Sequence, residues 1–427
     1  MTGVGSRSDA ASRGPLQGIR IVDMSTTFMG PVATMHLARM GADVIKVEAP
    51  AGDPPRYIGK ARSPGMGPIF INGNSGKRSI VLDLKSPAGH EALMRMLGHA
   101  DVFVHNMRPK AATRLGMDAP TVMGRWPKLI HCTMRGYGDG PYEDEAAYDD
   151  VVQGVTGIAS VQGGAGVPTY VATPMVDKTM SLAGAMAILA AVVRRFSTGS
   201  GEAVVVPMFE FMASWLLLEQ QGGRVFDPPL GPTGYGRTAS PDRRPYRTSD
   251  GYIAVLLYTD RQWEKFWSIA GRPDLAQDSR YSNIGGRVEH ANFLLSFVAE
   301  VISTRTTQEW LELFKRESIA AMPVNSVDDL FDDRHLRAVN FFEEVEHPTE
   351  GKLKLARVAL QFSRGMGPTR HAPRLGEHTR EILAQTGYQQ DEIDALERSG
   401  SAIQAAVRDP EAPVPSKLQV ATGGNTT

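Results

Sequence analysis

The chain has 427 residues, 42% hydrophobic and 22% charged. This composition excludes disorder and fibrous structure, and the length allows two or three domains of roughly 150 residues. Its 46 Lys and Arg against 47 Asp and Glu leave a net charge of −1, so no basic excess exists to meet a phosphate backbone and nucleic-acid binding is not expected. The single cysteine, Cys132, rules out a disulfide framework and any multi-cysteine metal site. In the apolar run 129–134 it reads as a small buried side chain, in keeping with a reducing, cytoplasmic compartment.

Residues 1–17 are polar and rich in small residues, without the apolar core of a signal peptide, and are expected to be a flexible tail. Residues 18–24 (GIRIVDM) read as a buried strand, 32–40 as a helix closed by Gly41, and 43–48 (DVIKVE) as a second strand. The pattern continues with a strand at 79–82, a helix at 86–97 with Pro87 in its first turn, and strands at 101–105 and 128–134. Such alternation predicts a parallel sheet covered by helices. The longest apolar stretch, 180–193, is shorter than the ~20 residues a membrane span needs, and reads as a buried helix. GSG at 199–201 reads as a turn.

The texture changes near Gly222. Residues 222–250 are dense in Gly, Pro and charge, and a loop of that length is a functional segment or a domain crossing. A strand at 252–257 and amphipathic stretches at 261–270, 287–302 and 307–316 predict a small α+β domain. Strand-like segments at 341–346 and 353–362 precede a last helix at 376–385. Residues 406–427, rich in Pro, Gly and Thr, cannot build a core and are expected to be a second flexible tail.

Several sites are excluded by their motifs. There is no GxxxxGK[ST] and no HExxH or paired His/Cys spacing, and neither a Walker site nor a metal is expected. The turn STTFMGP after the first strand lacks GxGxxG, and no G-x-S-x-G elbow is present. What stands out is Asp177, at the mouth of the long apolar helix. It suits an N-cap. It equally suits a nucleophile, since a helix N-terminus favours an ionised carboxylate. Lys77, Arg78, Lys85, Arg108, Lys110, Arg114 and Arg135 fall near strand ends, where open α/β sheets gather ligands. Cations there suit a polyanion such as a nucleotide diphosphate, or are solvated surface charge.

Seven segments, in order over residues 15–387, together resemble one family. They are PLQGIRIVDMSTTFMGP, GADVIKVEAPAGDPPR, NGNSGKRSIVLDLKSPAG, DVFVHNMRPKAATRLGM, HCTMRGYGDGPYEDEAAYDDVVQGVTG, DGYIAVLLYTDRQWEKFWSIAGRPDL and PRLGEHTREIL. The chain is similar to the family III CoA-transferases, the CaiB/BaiF group that includes formyl-CoA and carnitine CoA-transferases.

The resemblance implies that Asp177 is the nucleophile that moves coenzyme A from an acyl-CoA to a carboxylic acid, through acyl-aspartyl anhydride and aspartyl-CoA intermediates. It implies coenzyme A contacts at Leu82, Lys85, Arg114, Leu115, Arg135 and Tyr137, with the cations on the phosphates and Leu115 against the adenine. Thr27 and Phe28 occupy the loop beside the catalytic carboxylate. Phe28 stands where formyl-CoA transferase has Gln and cannot donate its hydrogen bond, which argues against oxalate or formate. Ala49 likewise replaces a CoA-binding Arg. The segment 231–237 (GPTGYGR) falls where formyl-CoA transferase carries a glycine-rich lid, and otherwise reads as a linker.

The implied architecture is a Rossmann-like large domain (18–221 with 337–405) and a small α+β domain with its linker (222–336), in an interlocked ring homodimer. The implied partners are acyl-CoA and a small carboxylic acid, with neither tightly bound cofactor nor metal, nucleic acid nor membrane. One rival is an α-methylacyl-CoA racemase-like epimerase, in which a His stands where this chain has Tyr148; a phenol with a pKa of ~10 is a poor base. The acidic run Glu143–Glu145 with Asp149 and Asp150 reads as solvated loop charge, Asp149 capping the next helix. A second rival is a non-catalytic CoA-binding protein.

Overall fold

A computed structural model describes residues 14–405; the expected tails at 1–13 and 406–427 lie outside the described residues. Residues 14–17 form a turn in which the Leu16 N–H donates to the Met40 carbonyl. In chain order the strands are β1 (Arg20–Asp23), β2 (Asp43–Glu48), β3 (Arg78–Leu82), β4 (Val102–His105), β5 (Ile130–Arg135), β6 (Ala203–Pro207), β7 (Tyr246–Arg247), β8 (Tyr252–Leu256), β9 (Ala320–Pro323), β10 (Phe342–His347), β11 (Gly351–Ala356) and β12 (Ala402–Ile403).

The chain divides into two compact units. Among the described residues the first takes 14–152, 173–212 and 339–405 and contains a seven-stranded sheet in the order β12-β3-β2-β1-β4-β5-β6. The pairings from β3 to β6 are all parallel, and only the short β12 runs antiparallel, against β3. This is the α/β arrangement that alternating strands and helices predict. Consecutive buried residues such as Ile80, Val81 and Leu82, or Val102, Phe103 and Val104, are enclosed on both faces of the sheet, as parallel strands require. Cys132 is buried in β5, and burial pushes its thiol up to about 12. It is a core side chain, as its surroundings in the sequence suggest.

The helix Met175–Thr198 is longer than its 14-residue apolar centre and is long and apolar enough to cross a membrane by composition, yet half of its most apolar window is buried. It packs on the helix Met29–Arg39. At the crossing, a Cβ on Gly184 would meet Met134 Cε at 2.4 Å and Ala33 Cβ at 3.4 Å, so a larger residue there would require the Met134 side chain to move.

The second unit takes residues 153–172 and 213–338. It includes a segment, 153–172, that sequence texture alone leaves with the first. Its sheet, in the order β7-β8-β9, is antiparallel and shares an aromatic core with the helices Asp260–Ile269, Ala291–Ile302 and Thr307–Glu317. The stretch expected as one helix at 287–302 is two, broken at His290. The strand expected at 353–362 ends at Ala356. The helix Gln390–Arg398, opened by a capping box of Gln389 and Glu392 and burying Ile393 and Leu396, and the short β12 are further elements beyond those expected.

Candidate active site

In a parallel sheet every strand ends on the same edge, and the order reverses direction between β1 and β4. That reversal opens a crevice at the carboxyl edge where ligands collect. The loops after β1 and β4 meet there. Asn106 Oδ1 accepts from the Thr26 N–H at 3.0 Å, and Asn106 Nδ2 donates to the Thr26 carbonyl at 2.9 Å. Asn106 escapes motif reading, although its place one residue beyond β4 is a recoverable signal.

Beneath this loop lies a buried ionic network. Lys77 Nζ pairs with Asp23 Oδ2 at 2.9 Å and also donates to the Pro31 carbonyl and Asn74 Oδ1. Lys46 Nζ donates to the Ser25 carbonyl at 3.0 Å and lies 2.8 Å from Asp53 Oδ2. Asp53 Oδ1 accepts from the Thr27 N–H at 2.9 Å. Arg56 grips Glu48 with two nitrogens, at 2.6 and 2.7 Å. All six charged side chains are buried. Burial pushes the Asp23 carboxyl up, but Lys77, Lys46 and the Ser25 and Thr34 hydroxyls outweigh it and hold the group down at about 2. Lys77 is therefore a structural ion, neither surface charge nor a ligand contact; Arg78 pairs with Asp43 and Glu381. The network fixes Thr27 at φ +75°, a conformation rare outside glycine, and leaves its side chain exposed. Phe28, half-buried, opens the helix Met29–Arg39.

That helix starts at the carboxyl edge, since it follows β1. The helix Met175–Thr198 also starts on that side, because it leads back to the beginning of β6. Asp177 is the third residue of this helix. The N-cap is Pro174, so Asp177 is no cap. Its own N–H, one of the groups a helix start leaves without an internal partner, donates to Asp149 Oδ2 at 2.9 Å. Asp149 is buried and is the first residue of the helix Asp149–Val155. It serves the Asp177 helix and is not solvated loop charge. No ion pair reaches Asp177 among the described residues. Burial, with the Asp149 charge added, pushes its carboxyl from 3.8 up to about 7. This reverses the direction a helix dipole alone would give: desolvation and a like charge outweigh it.

The remaining expected contacts scatter around the same edge. Lys85, three residues past β3, and Arg114 are exposed and without ion pairs among the described residues. Leu115 is half-buried on the core that also takes Leu84. Arg135 ends β5 and pairs with Asp139. Tyr137 is buried against Tyr142 and Phe209. Leu82 is fully enclosed in the core, so its side chain has no surface to offer a ligand. Lys110 pairs with Asp144 at 2.6 Å, and Arg108 donates to the Asp144 carbonyl at 3.3 Å. Among the described residues no group of three or more His, Cys, Asp or Glu side chains could hold a metal.

The sequence pattern of one family, described as CoA-transferase family III, matches residues 16–379. The chain belongs to CoA-transferase family III. It is 29% identical over 407 residues to succinyl-CoA:glutarate CoA-transferase of Mus musculus, covering 92% of each chain. It is 30% identical to succinate–glutarate CoA-transferase of Agrobacterium fabrum, over 91% of this chain and 98% of that one. Among solved structures it resembles a CaiB/BaiF family protein from Brucella suis, with a TM-score of 0.73 and 27% identity, over 88% of this chain and all of the other. This family III CoA-transferase is thus an enzyme that transfers coenzyme A between an acyl-CoA and a carboxylate.

Proposed function

We propose that transfer runs through covalent intermediates on Asp177. One Asp177 carboxylate oxygen attacks the thioester carbonyl of the donor. The carbon–sulfur bond breaks, coenzyme A leaves as thiolate, and an acyl-aspartyl anhydride remains. The thiolate then attacks the aspartyl carbonyl, expelling the donor acid as carboxylate and leaving an aspartyl-CoA thioester. The acceptor carboxylate displaces thiolate from that carbonyl to form a second anhydride. Finally the thiolate attacks the acceptor's acyl carbon, and Asp177 is restored. No step needs a net proton, and each activated link is exchanged for another of similar energy.

The observation that carries this reading is the situation of Asp177: a partly open carboxylate with no cation paired to it, on a helix start at the ligand edge, made more basic by burial and by Asp149. A poorly solvated carboxylate of raised pKa is a better nucleophile than an exposed one. Lys85, Arg114 and Arg135 hold the coenzyme A phosphates, Leu115 packs the adenine, and Tyr137 and the Thr27–Phe28 loop border the acyl group. The acids exchanged are small carboxylates of the kind named for the relatives, and the working form is an interlocked ring homodimer in the cytoplasm. Against the racemase reading, Tyr148 stands where that subfamily carries its His, and it is an exposed phenol, a poor base.

The test is direct. Protein is incubated with an acyl-CoA donor, quenched, digested and weighed. A mass increase on the peptide carrying Asp177, absent from Asp177→Asn, is expected; an unlabelled peptide under turnover overturns the covalent route.

A further inference from the structure

A second cavity lies wholly within the second unit. It measures about 410 Å³, within the range of pockets that enclose small organic ligands. Its walls are apolar: Leu256 on β8, Trp263 on the helix Asp260–Ile269, and Leu294 and Val298 on the helix Ala291–Ile302. Its polar lining includes Arg237 and Tyr246 on the segment before β8, Tyr258 beyond β8, and Arg287 on the helix Ile284–Glu289.

Arg237 and Tyr246 are poised without partners among the described residues. Arg237 is half-buried, and no carboxylate lies within ion-pair distance of it among the described residues. Tyr246 is buried, and its hydroxyl makes no hydrogen bond among those residues. Burial pushes the phenol up to about 12, against the nearby Arg237 charge and with the Asp242 carboxylate adding to the rise. The phenol therefore stays neutral and remains a donor. The other buried guanidinium at the cavity, Arg287, is already matched by Asp260 and the Tyr281 carbonyl. Arg243 and Arg244 also border the cavity and are exposed; Arg244 is paired with Asp242 at 3.6 Å.

An unpaired guanidinium and a phenol hydroxyl beside apolar side chains leave donors open to a ligand with both an acceptor and an apolar body. A single anionic acceptor on an apolar body meets both demands, and a charge-assisted pair with a guanidinium is among the stronger contacts available. We propose that this cavity binds a hydrophobic monocarboxylic acid, its chain against Leu256, Trp263, Leu294 and Val298 and its carboxylate on Arg237 and the Tyr246 hydroxyl. The proposal is independent of the role given to Asp177.

The experiment is calorimetric titration of the full-length protein with decanoate, with decanol as the matched alcohol. Saturable binding of decanoate is expected, with decanol and the Arg237→Gln variant each weaker by about tenfold or more and Tyr246→Phe showing a smaller loss. Binding should also shift tryptophan emission, and Trp263→Phe should lose that shift. Asp177→Asn should bind decanoate as the parent does, which separates this site from the catalytic one. Thermal unfolding confirms that Arg237→Gln is folded. Absence of saturable binding, equal affinity for decanol, no effect of Arg237→Gln, or loss of binding in Asp177→Asn overturns it.

Discussion

Two groups of charges in the first unit are treated in opposite ways. Under the loop after β1, Asp23, Lys46, Glu48, Asp53, Arg56 and Lys77 are buried as complementary pairs. At the start of the helix Met175–Thr198, Asp177 sits beside another carboxylate, Asp149, and has no ion pair among the described residues. The first group spends its charges on geometry, fixing a strained backbone turn. The second group leaves a carboxylate basic and accessible, at a cost to stability. A carboxylate without an ion pair among the described residues, set beside a like charge, marks a site kept for chemistry, whereas matched charges mark a scaffold.

The largest effect that sharpens this contrast is on turnover. Asp177→Asn should lower the rate of coenzyme A transfer by about a thousandfold or more while the protein stays folded, as loss of a nucleophile does elsewhere; a variant within tenfold of the parent breaks the comparison. Next, Lys77→Met leaves Asp23 buried without its main partner, and should cost about 3–5 kcal/mol in chemical denaturation. An unchanged midpoint would show that the network is not the scaffold.

A third prediction concerns pH. Because the Asp177 carboxyl is raised to about 7, the nucleophilic form accumulates as pH rises, and the rate should climb with an inflexion near there. Asp149→Asn removes the like charge but keeps an oxygen for the Asp177 N–H, so the inflexion should move to lower pH. Linkage has the same root. A raised carboxyl contributes stability in its neutral form, fully present below about pH 4 and lost as pH rises through its folded value. Asp177→Asn should therefore unfold at a higher temperature than the parent above pH 7, with little difference near pH 4. The smallest effect is expected at Tyr148: Tyr148→Phe should change transfer by less than about threefold, as for an ordinary surface position. Deuterium wash-in at the α-carbon of a 2-methylacyl-CoA would instead point to proton shuttling.

Much of the first unit is legible in advance. Short apolar runs alternating with helical spacing define β1 to β5, and Ser86 caps the helix Pro87–Leu97 as its position before proline suggests. The second unit is less legible. Its Gly- and Pro-rich entry carries no period, and its extent depends on which loops touch, so 153–172 joins it only in three dimensions. The cations near strand ends are the instructive case. Lys77 and Lys85 look alike in a string of letters, yet one is fully enclosed by Asp23, Asn74 and a carbonyl while the other is exposed.

Residue order alone determined the parallel-sheet plan, the family and the prominence of Asp177, because hydrophobic period and local motifs are properties of neighbouring residues. Tertiary structure decided the rest. It alone brought Asp149, 28 positions away, to the Asp177 N–H and turned the carboxyl's pKa upward against the helix dipole. It alone joined Arg237 and Tyr246 to an apolar cavity. Desolvation and charge–charge energies depend on distance through space, which sequence separation does not encode.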